Sequence, residues 1–516
     1  MAGSFLICTN RLLISDAYGK NECAYMIILL KKYPVFAVLL PVFILIHIEA
    51  EYHNLITYRF VTKEILILFI VPVIVYAACF IFLRSIPKAN ILSLTVLIIF
   101  FFGGEFIDWL RNSFPNYFFQ RYTFIIPFIT VLIFLLSLYL KKRSIKFEKV
   151  NLYFNLAFIL FIIADLVNIS LRKTVPENSS VNRLSNYDSC QNCRRPDIYY
   201  LVFDSYAGTS SLRSEFNYDN SELENYLSKN DFRIISDSKS NYNLTPFSIG
   251  STFNMEYLDD IDSGKRYFLK DYLPAVKKVY TNKLFPIMEK RGYQVFNQGM
   301  FNVESHPGSV PLFDAWEIKL IYQQHNFVRK IYNEIGWQFP AWLQINLGRE
   351  PDYAEQRDAY DKKAVEMLYD VIKKPSVKPK FVYNHLFLPH SPYSFDSSGN
   401  KIKVDYHLSV EADKQAYISQ LIYVNKLMRS VIDAIKKESK NPPVIIVQSD
   451  HGYRFFNASK AQLEFINLSA FYFPSKNYSM LTDSVSNVNT FRIVLNTIFE
   501  EHWPILENKH FFIKYK

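Results

Sequence analysis

The chain has 516 residues, half of them hydrophobic, with 58 Lys and Arg against 48 Asp and Glu. That length exceeds one ordinary domain, and the apolar content excludes a disordered or low-complexity chain. Five cysteines in 516 residues exclude a disulfide-dense mini-protein. Charge is uneven: residues 1–169 carry 15 Lys and Arg against 9 Asp and Glu, and the rest carry 43 against 39. The basic excess therefore sits in a charge-poor N-terminal third. The near-balanced remainder shows no basic cluster, which argues against a nucleic-acid partner.

Five apolar runs precede residue 172: Tyr33–His47, Ile65–Leu83, Ala89–Ile107, Tyr122–Leu140 and Leu152–Leu171. The last four approach the ~20 residues that span ~30 Å of hydrocarbon as a helix. None alternates in polarity, so a barrel is excluded. Pro34, Pro41, Pro72 and Pro127 interrupt them, which membrane helices tolerate. Basic residues fall before the first run (Lys31, Lys32), between the second and third (Arg84, Lys88) and most densely between the fourth and fifth (Lys141, Lys142, Arg143, Lys146, Lys149). By the positive-inside rule the N-terminus is cytoplasmic, and an odd number of spans places everything after Leu171 outside. The expected location is a bacterial-type inner or plasma membrane, multi-pass. Residues 1–25 read neither as a further span nor as a secretory signal, and translation from Met26 is one simple reading of them. Residues 172–196 read as a polar linker. Its Cys190-x-x-Cys193 lacks a second pair for zinc and reads as a local disulfide or two free thiols.

Residues 197–516 read as an α/β domain. Three apolar runs rich in β-formers, Pro196–Asp204, Lys380–Leu388 and Pro443–Asp450, alternate with helical stretches at Tyr353–Lys373 and Ala412–Lys437. Continuous apolar strands alternating with helices predict a mostly parallel sheet covered on both faces. All three runs end in chemistry-bearing residues: Asp204, then His390 in His-Ser-Pro-Tyr, then Asp450-His451-Gly452. Open α/β sheets bind ligands at the carboxyl ends of their strands. Asp204, Asp450 and His451 offer two oxygens and a nitrogen, a set that suits one divalent ion, Zn or Mn. Thr245 followed by Pro246 predicts a helix N-terminus running to Met255, whose dipole favours an anion beside the hydroxyl. An ion on that oxygen lowers its pKa and makes it a nucleophile. His385, five residues before His390, ranks as supporting structure.

The order Asp204, Thr245-Pro246, His390-x-Pro-Tyr393, Asp450-His451-Gly452 resembles the alkaline-phosphatase-like superfamily. Within it, five spans before an extracytoplasmic sulfatase-like domain is similar to lipoteichoic acid synthases and lipid A phosphoethanolamine transferases. The resemblance implies that Thr245 carries the transferred group covalently. It implies that Asp204, Asp450, His451 and the Thr245 oxygen hold the metal, and that His390 contacts the phosphate or leaving group. Those transferases usually have Glu where this chain has Asp204. A true sulfatase is disfavoured: its pattern is Cys-or-Ser-x-Pro-x-Arg with an oxidised first residue, and Thr245-Pro246-Phe247-Ser248 offers neither. No second metal set stands out, with Asp237, His306 and His325 as the remaining donors. The expected activity is metal-dependent transfer of a phospholipid head group to a cell-surface glycan or lipid. The alternative is a membrane-anchored phosphodiesterase, phosphatase or atypical sulfatase on the same site. A degenerate-site scaffold would lack a ligand, and none is missing. A transporter would carry more ionisable residues in its spans than the conspicuous Asp165.

Overall fold

The computed structural model describes residues 17–33, 35–52, 62–114, 117–142, 148–174, 195–259, 261, 266–267, 269–308, 326–336, 340, 353–405, 408–454 and 458–515. Pro34, Cys190, Cys193 and His325 lie outside them. The chain divides into two compact units: Met1–Pro176 with Glu317–Leu347, and Glu177–Trp316 with Gly348–Lys516.

In the first unit every apolar run is helical. After α1 (Ala17–Lys32) come α2 (Phe36–Tyr52), α3 (Thr62–Leu83), α4 (Ile86–Ser113), α5 (Tyr122–Lys142) and α6 (Glu148–Thr174). Three of them, within Ile86–Arg111, Tyr122–Lys142 and Glu148–Leu171, are long and apolar enough to cross a membrane. Of the five expected spans, the first two are represented by shorter apolar stretches, Val38–Ala50 and Leu68–Leu83. Pro41, Pro72 and Pro127 sit inside their helices.

Asn155 is a buried polar group in this unit that is satisfied across helices. Asn155 of α6 donates to the carbonyls of Leu30 and Tyr33 at 2.7 and 2.9 Å and accepts from the Phe36 amide. It thereby satisfies the backbone freed where α1 gives way to α2. Asp165 faces His47 at 3.1 Å.

Helix α7 (Phe327–Ile335) also packs in this unit, although it lies between the second unit's strands in the chain. Asn326 caps it by accepting from the Arg329 amide. Ile331 is buried with Ile107, Tyr122 and Ile125. A Cβ at Gly103 would stand 2.9 Å from the Phe327 ring, so glycine permits that close approach. Lys330 pairs with Asp108 at 2.8 Å, and Arg111 grips Glu334 through both carboxylate oxygens at 2.7 and 3.0 Å.

The second unit is built on a six-stranded sheet: β1 (Ile198–Phe203), β2 (Arg233–Ile234), β3 (Gln294–Gln298), β4 (Lys380–Leu386), β5 (Val444–Gln448) and β6 (Ser469–Tyr472), in the order β2-β6-β5-β1-β4-β3. The pairings β3–β4, β4–β1 and β1–β5 are parallel, and β5–β6 and β6–β2 are antiparallel. The sheet is therefore mixed rather than simply parallel. Its parallel centre holds the three strands legible in the sequence, and every residue of β1, β4 and β5 is buried. Helices α8 (Thr245–Asn254), α9 (Tyr353–Lys373), α10 (Val410–Glu438) and α11 (Thr490–Phe499) belong to the same unit. Tyr200, Phe253, Tyr383 and Phe491 meet edge-on or stacked between sheet and helices. Each such ring contributes about 2 kcal/mol of burial. Because β5, β1 and β4 are neighbours, the three loops after them emerge side by side.

Candidate active site

Asp204 follows β1, Asp450 and His451 follow β5, and all three are buried. Their ligand atoms lie within 4.8 Å of one another. His451 Nε2 stands 3.4 Å from Asp204 Oδ1 and 3.4 Å from Asp450 Oδ2. Thr245 Oγ1 completes the group, 3.4 Å from the same nitrogen. Four ligands at 2.0–2.1 Å from a tetrahedral centre stand about 3.3 Å apart. The three measured edges match that spacing.

The local backbone explains the convergence. Ser205 has φ +65°, the left-handed region, and its amide donates to Asp450 Oδ1 at 3.3 Å. That leaves Asp450 Oδ2 and Asp204 Oδ1 without hydrogen-bond partners among the described residues. His451 Nδ1 donates to the Gly452 carbonyl at 2.7 Å, which fixes the tautomer and turns the Nε2 lone pair into the cluster. Gly452 is required by crowding: a Cβ there would lie 2.3 Å from the Ile466 carbonyl oxygen. Ser248 Oγ donates to the Asp450 carbonyl at 2.6 Å and pins α8 to this loop.

Thr245 is the first residue of α8, and Leu244 in extended backbone takes the cap position expected for Thr245. The consequence is chemical: the Thr245 hydroxyl faces His451 at the positive end of the helix dipole. The helix ends at Asn254 with Met255 left-handed at its C-cap.

Electrostatics fit a cation. Burial, and then the neighbouring Asp450 charge, raises the Asp204 carboxyl well above its ordinary range. Burial, reinforced by Arg454, holds His451 far below the usual imidazole value. Two buried carboxylates beside a neutral imidazole, with two orphaned oxygens, fit a divalent ion by chemistry as well as spacing.

His390 lies four residues past β4, buried between two arginines that sequence reasoning missed. Arg357 of α9 approaches Nδ1 at 2.9 Å and also donates to the Ser391 carbonyl. Arg454 Nη2 donates to Nε2. Arg454 stands three residues after His451, so proximity to the Asp-His-Gly motif was its available signal. Arg357 carries none, because only the tertiary fold brings α9 to this loop. His385 is buried on β4 with Nδ1 against the Tyr383 hydroxyl at 2.8 Å, and burial pushes it down to about 4. Asp237 is exposed and paired with Lys239, and His306 meets Glu289. Among the described residues the Asp204–Asp450–His451 group is the metal-type cluster.

Residues 248–492 match the family model described as Sulfatase. The chain carries a sulfatase-like domain. The matched stretch contains His390, Asp450 and His451 and begins three residues past Thr245. The matched stretch is accordingly an enzyme domain of sulfatase-like kind. Solved structures similar to the chain include the C-terminal periplasmic domain of EcEptC from Escherichia coli in complex with Zn (12% identity, 64% of this chain and 90% of that one, TM-score 0.39). Another is the C-terminal periplasmic domain of phosphoethanolamine transferase EptC from Campylobacter jejuni (13% identity, 61% and 92%, TM-score 0.35). A third is an alkaline phosphatase superfamily protein from Vibrio parahaemolyticus (15% identity, 59% and 67%, TM-score 0.34). No curated protein matches the chain.

One buried acid near the sulfatase-like site gives a pH test. Asp361 of α9 accepts from the Phe387 amide at 2.7 Å, and burial raises its carboxyl to about 8. A raised carboxyl favours the folded protein below its ordinary value of 3.8, and this contribution is lost as pH climbs towards 8. Thermal melts of wild type and Asp361→Asn between pH 4 and 9 should therefore differ in slope between about pH 4.5 and 7.5, where wild type falls more steeply by several degrees. Above about pH 8.5 the two should run parallel. Parallel curves across the range would refute the assignment.

Proposed function

We propose that the protein is a membrane-anchored, metal-dependent phospho-group transferase acting through Thr245. The observation that carries this reading is the Thr245 hydroxyl at the N-terminus of α8, 3.4 Å from His451 Nε2 and beside two buried carboxylates. Asp204, Asp450, His451 and the Thr245 oxygen would hold one divalent ion, Zn or Mn. The ion would acidify the hydroxyl and offset charge on the phosphoryl oxygens. Thr245 Oγ forms a bond to phosphorus as the bond to the lipid alcohol breaks, and the threonine proton ends on the departing alcohol. An acceptor hydroxyl then attacks phosphorus, the Thr245–phosphorus bond breaks, and the proton returns to Thr245. His390 belongs to the phospho-group side of the site.

The donor is a phospholipid head group and the acceptor a cell-surface glycan or lipid. A domain tethered by five spans meets a membrane-embedded donor at high effective concentration. The domain lies on the outer face of an inner or plasma membrane. The basic loops support that side, and the packing of α7 agrees with it. Basic loops cluster at Lys141–Lys149 and Arg84–Lys88. Helix α7, flanked in the chain by the domain's strands, packs on the C-terminal end of α4 through Asp108 and Arg111. If that end is outside, α5 runs inward, α6 runs outward, and the chain after Thr174 emerges outside. Reporter fusions test this: an alkaline phosphatase reporter joined after Ser113 or Thr174 should be active, and one joined after Lys142 inactive. The reverse pattern would invert the topology.

Hydrolysis is the second reading, favoured by the Sulfatase match, and needs only water in place of the acceptor. The experiment that tests the first reading incubates purified protein with metal and labelled phosphatidylethanolamine or phosphatidylglycerol and weighs the intact protein. A head-group adduct at Thr245 supports transfer. Cleavage of a generic phosphodiester without head-group transfer moves the conclusion to hydrolysis.

A further inference from the structure

The surroundings of His390 point to a different division of labour from that implied by the sequence. Two donors approach this imidazole's neighbourhood: Arg357 Nη1 at Nδ1 and the Ser391 carbonyl, and Arg454 Nη2 at Nε2. One tautomer satisfies the ring, with Arg357 next to Nδ1 donating to the Ser391 carbonyl and not to the ring. Nδ1–H donates to the Ser391 carbonyl at 2.5 Å, Arg357 donates to that same carbonyl, and Nε2 accepts from Arg454. An imidazolium would set Nε2–H against Arg454 N–H, donor against donor. His390 is therefore a neutral acceptor with both ring nitrogens engaged inside the protein, and it has no N–H to offer a substrate.

Arg454 is placed otherwise. Its guanidinium reaches His390 with one nitrogen, its Nε is buried without a partner, and its planar group lies over the Tyr515 ring at 5.5 Å. Its charge acts on Asp204 and His451 at the cluster. Among the described residues no carboxylate forms an ion pair with it. A half-buried guanidinium three residues past His451, with donor capacity to spare, is built to take a tetrahedral oxyanion.

We infer that Arg454 makes the direct contact to the non-bridging oxygens of the phospho group and that His390 is a positioning residue holding the Arg454 fork. This rests on the phospho-transfer reading for its substrate class.

The test uses the full chain in detergent, loaded with zinc, with inorganic phosphate as probe and calorimetry as readout. Metal content is checked in every variant. Arg454→Gln should weaken phosphate at least 20-fold and Arg454→Lys about 5-fold, because Lys keeps the charge without the fork. His390→Gln, which restores a neutral acceptor, should stay within about 3-fold of wild type, and His390→Ala should lose about 10-fold. In a double-mutant cycle His390→Ala should cost little once Arg454 is Gln, or Lys where the Gln variant does not fold. Phosphate binding within 2-fold of wild type in Arg454→Gln would overturn the inference. Equal cost of His390→Ala in both backgrounds would do so too, as would no millimolar phosphate binding by the zinc-loaded wild type. Arg454-dependent phosphate binding without a Thr245 adduct from phospholipid would retain this inference and remove the transferase reading.

Discussion

Thr245→Ala should abolish both the covalent adduct and turnover, lowering kcat/KM by about 10⁴-fold, equivalent to about 5 kcal/mol of transition-state stabilisation. The substitution leaves the fold intact for stated reasons. Thr245 begins α8, Leu244 rather than Thr245 occupies the cap, and alanine is the better helix former. Ser248, which ties α8 to the Asp450 carbonyl, is untouched. The Asp204–Asp450–His451 set is also untouched, so metal content should stay near one equivalent. Thr245→Ser keeps the nucleophilic oxygen and loses a methyl group in a site only 6% exposed, and should retain activity within about 10-fold of wild type. Intact mass after donor incubation and steady-state assay on the three proteins decide the matter. An adduct that persists in Thr245→Ala, or loss of metal as the cause of inactivity, would remove Thr245 as the nucleophile.

How far the sequence was readable follows physical lines. Buried on both faces, β1, β4 and β5 are continuous apolar runs, and period and composition therefore reveal them. The other strands escape for the opposite reason. β2 is two residues long, β3 reads Gln-Val-Phe-Asn-Gln at the sheet edge, and β6 is four residues and antiparallel. Such segments are defined by pairing, not by their own pattern. Asp204, Asp450 and His451 could be found because each follows a legible strand, and Thr245 because Thr-Pro marks a helix start. The three 3.4 Å distances add what sequence cannot give, three oxygens gathered around one imidazole nitrogen. Arg357, Ser205 and the tautomer of His390 were not legible. Each depends on a contact between segments 30 or more residues apart or on one left-handed backbone residue. Helix α7 is a related case. Its Lys330 and Glu334 read as ordinary surface charge until Asp108 and Arg111 are set opposite them.

Asp450→Asn tests the metal assignment with an opposite-sign signature. In the metal-free protein, burial and then the Asp450 charge hold the Asp204 carboxyl above its ordinary value of 3.8. A raised carboxyl supports the fold at low pH, and that support is lost as pH rises through the raised value. Stripped wild type should therefore lose stability as pH climbs above 4. Stripped Asp450→Asn, relieved of the like charge, should be at least as stable as stripped wild type near neutrality. Zinc reverses the order. It selects the ionised carboxylates, so it should raise the wild-type melting temperature by several degrees, more at pH 8 than at pH 6, and leave Asp450→Asn unmoved. Asp450→Asn should hold less than about 0.1 metal per chain and lose at least about 10³-fold in turnover, matching chelator-treated wild type. Differential melting, metal analysis and assay on one preparation are sufficient. A zinc-stabilised, metal-loaded Asp450→Asn would show that the ion sits elsewhere. An unstable stripped Asp450→Asn would show that this buried carboxylate serves the fold, through Ser205 and the loop after β5, rather than the metal.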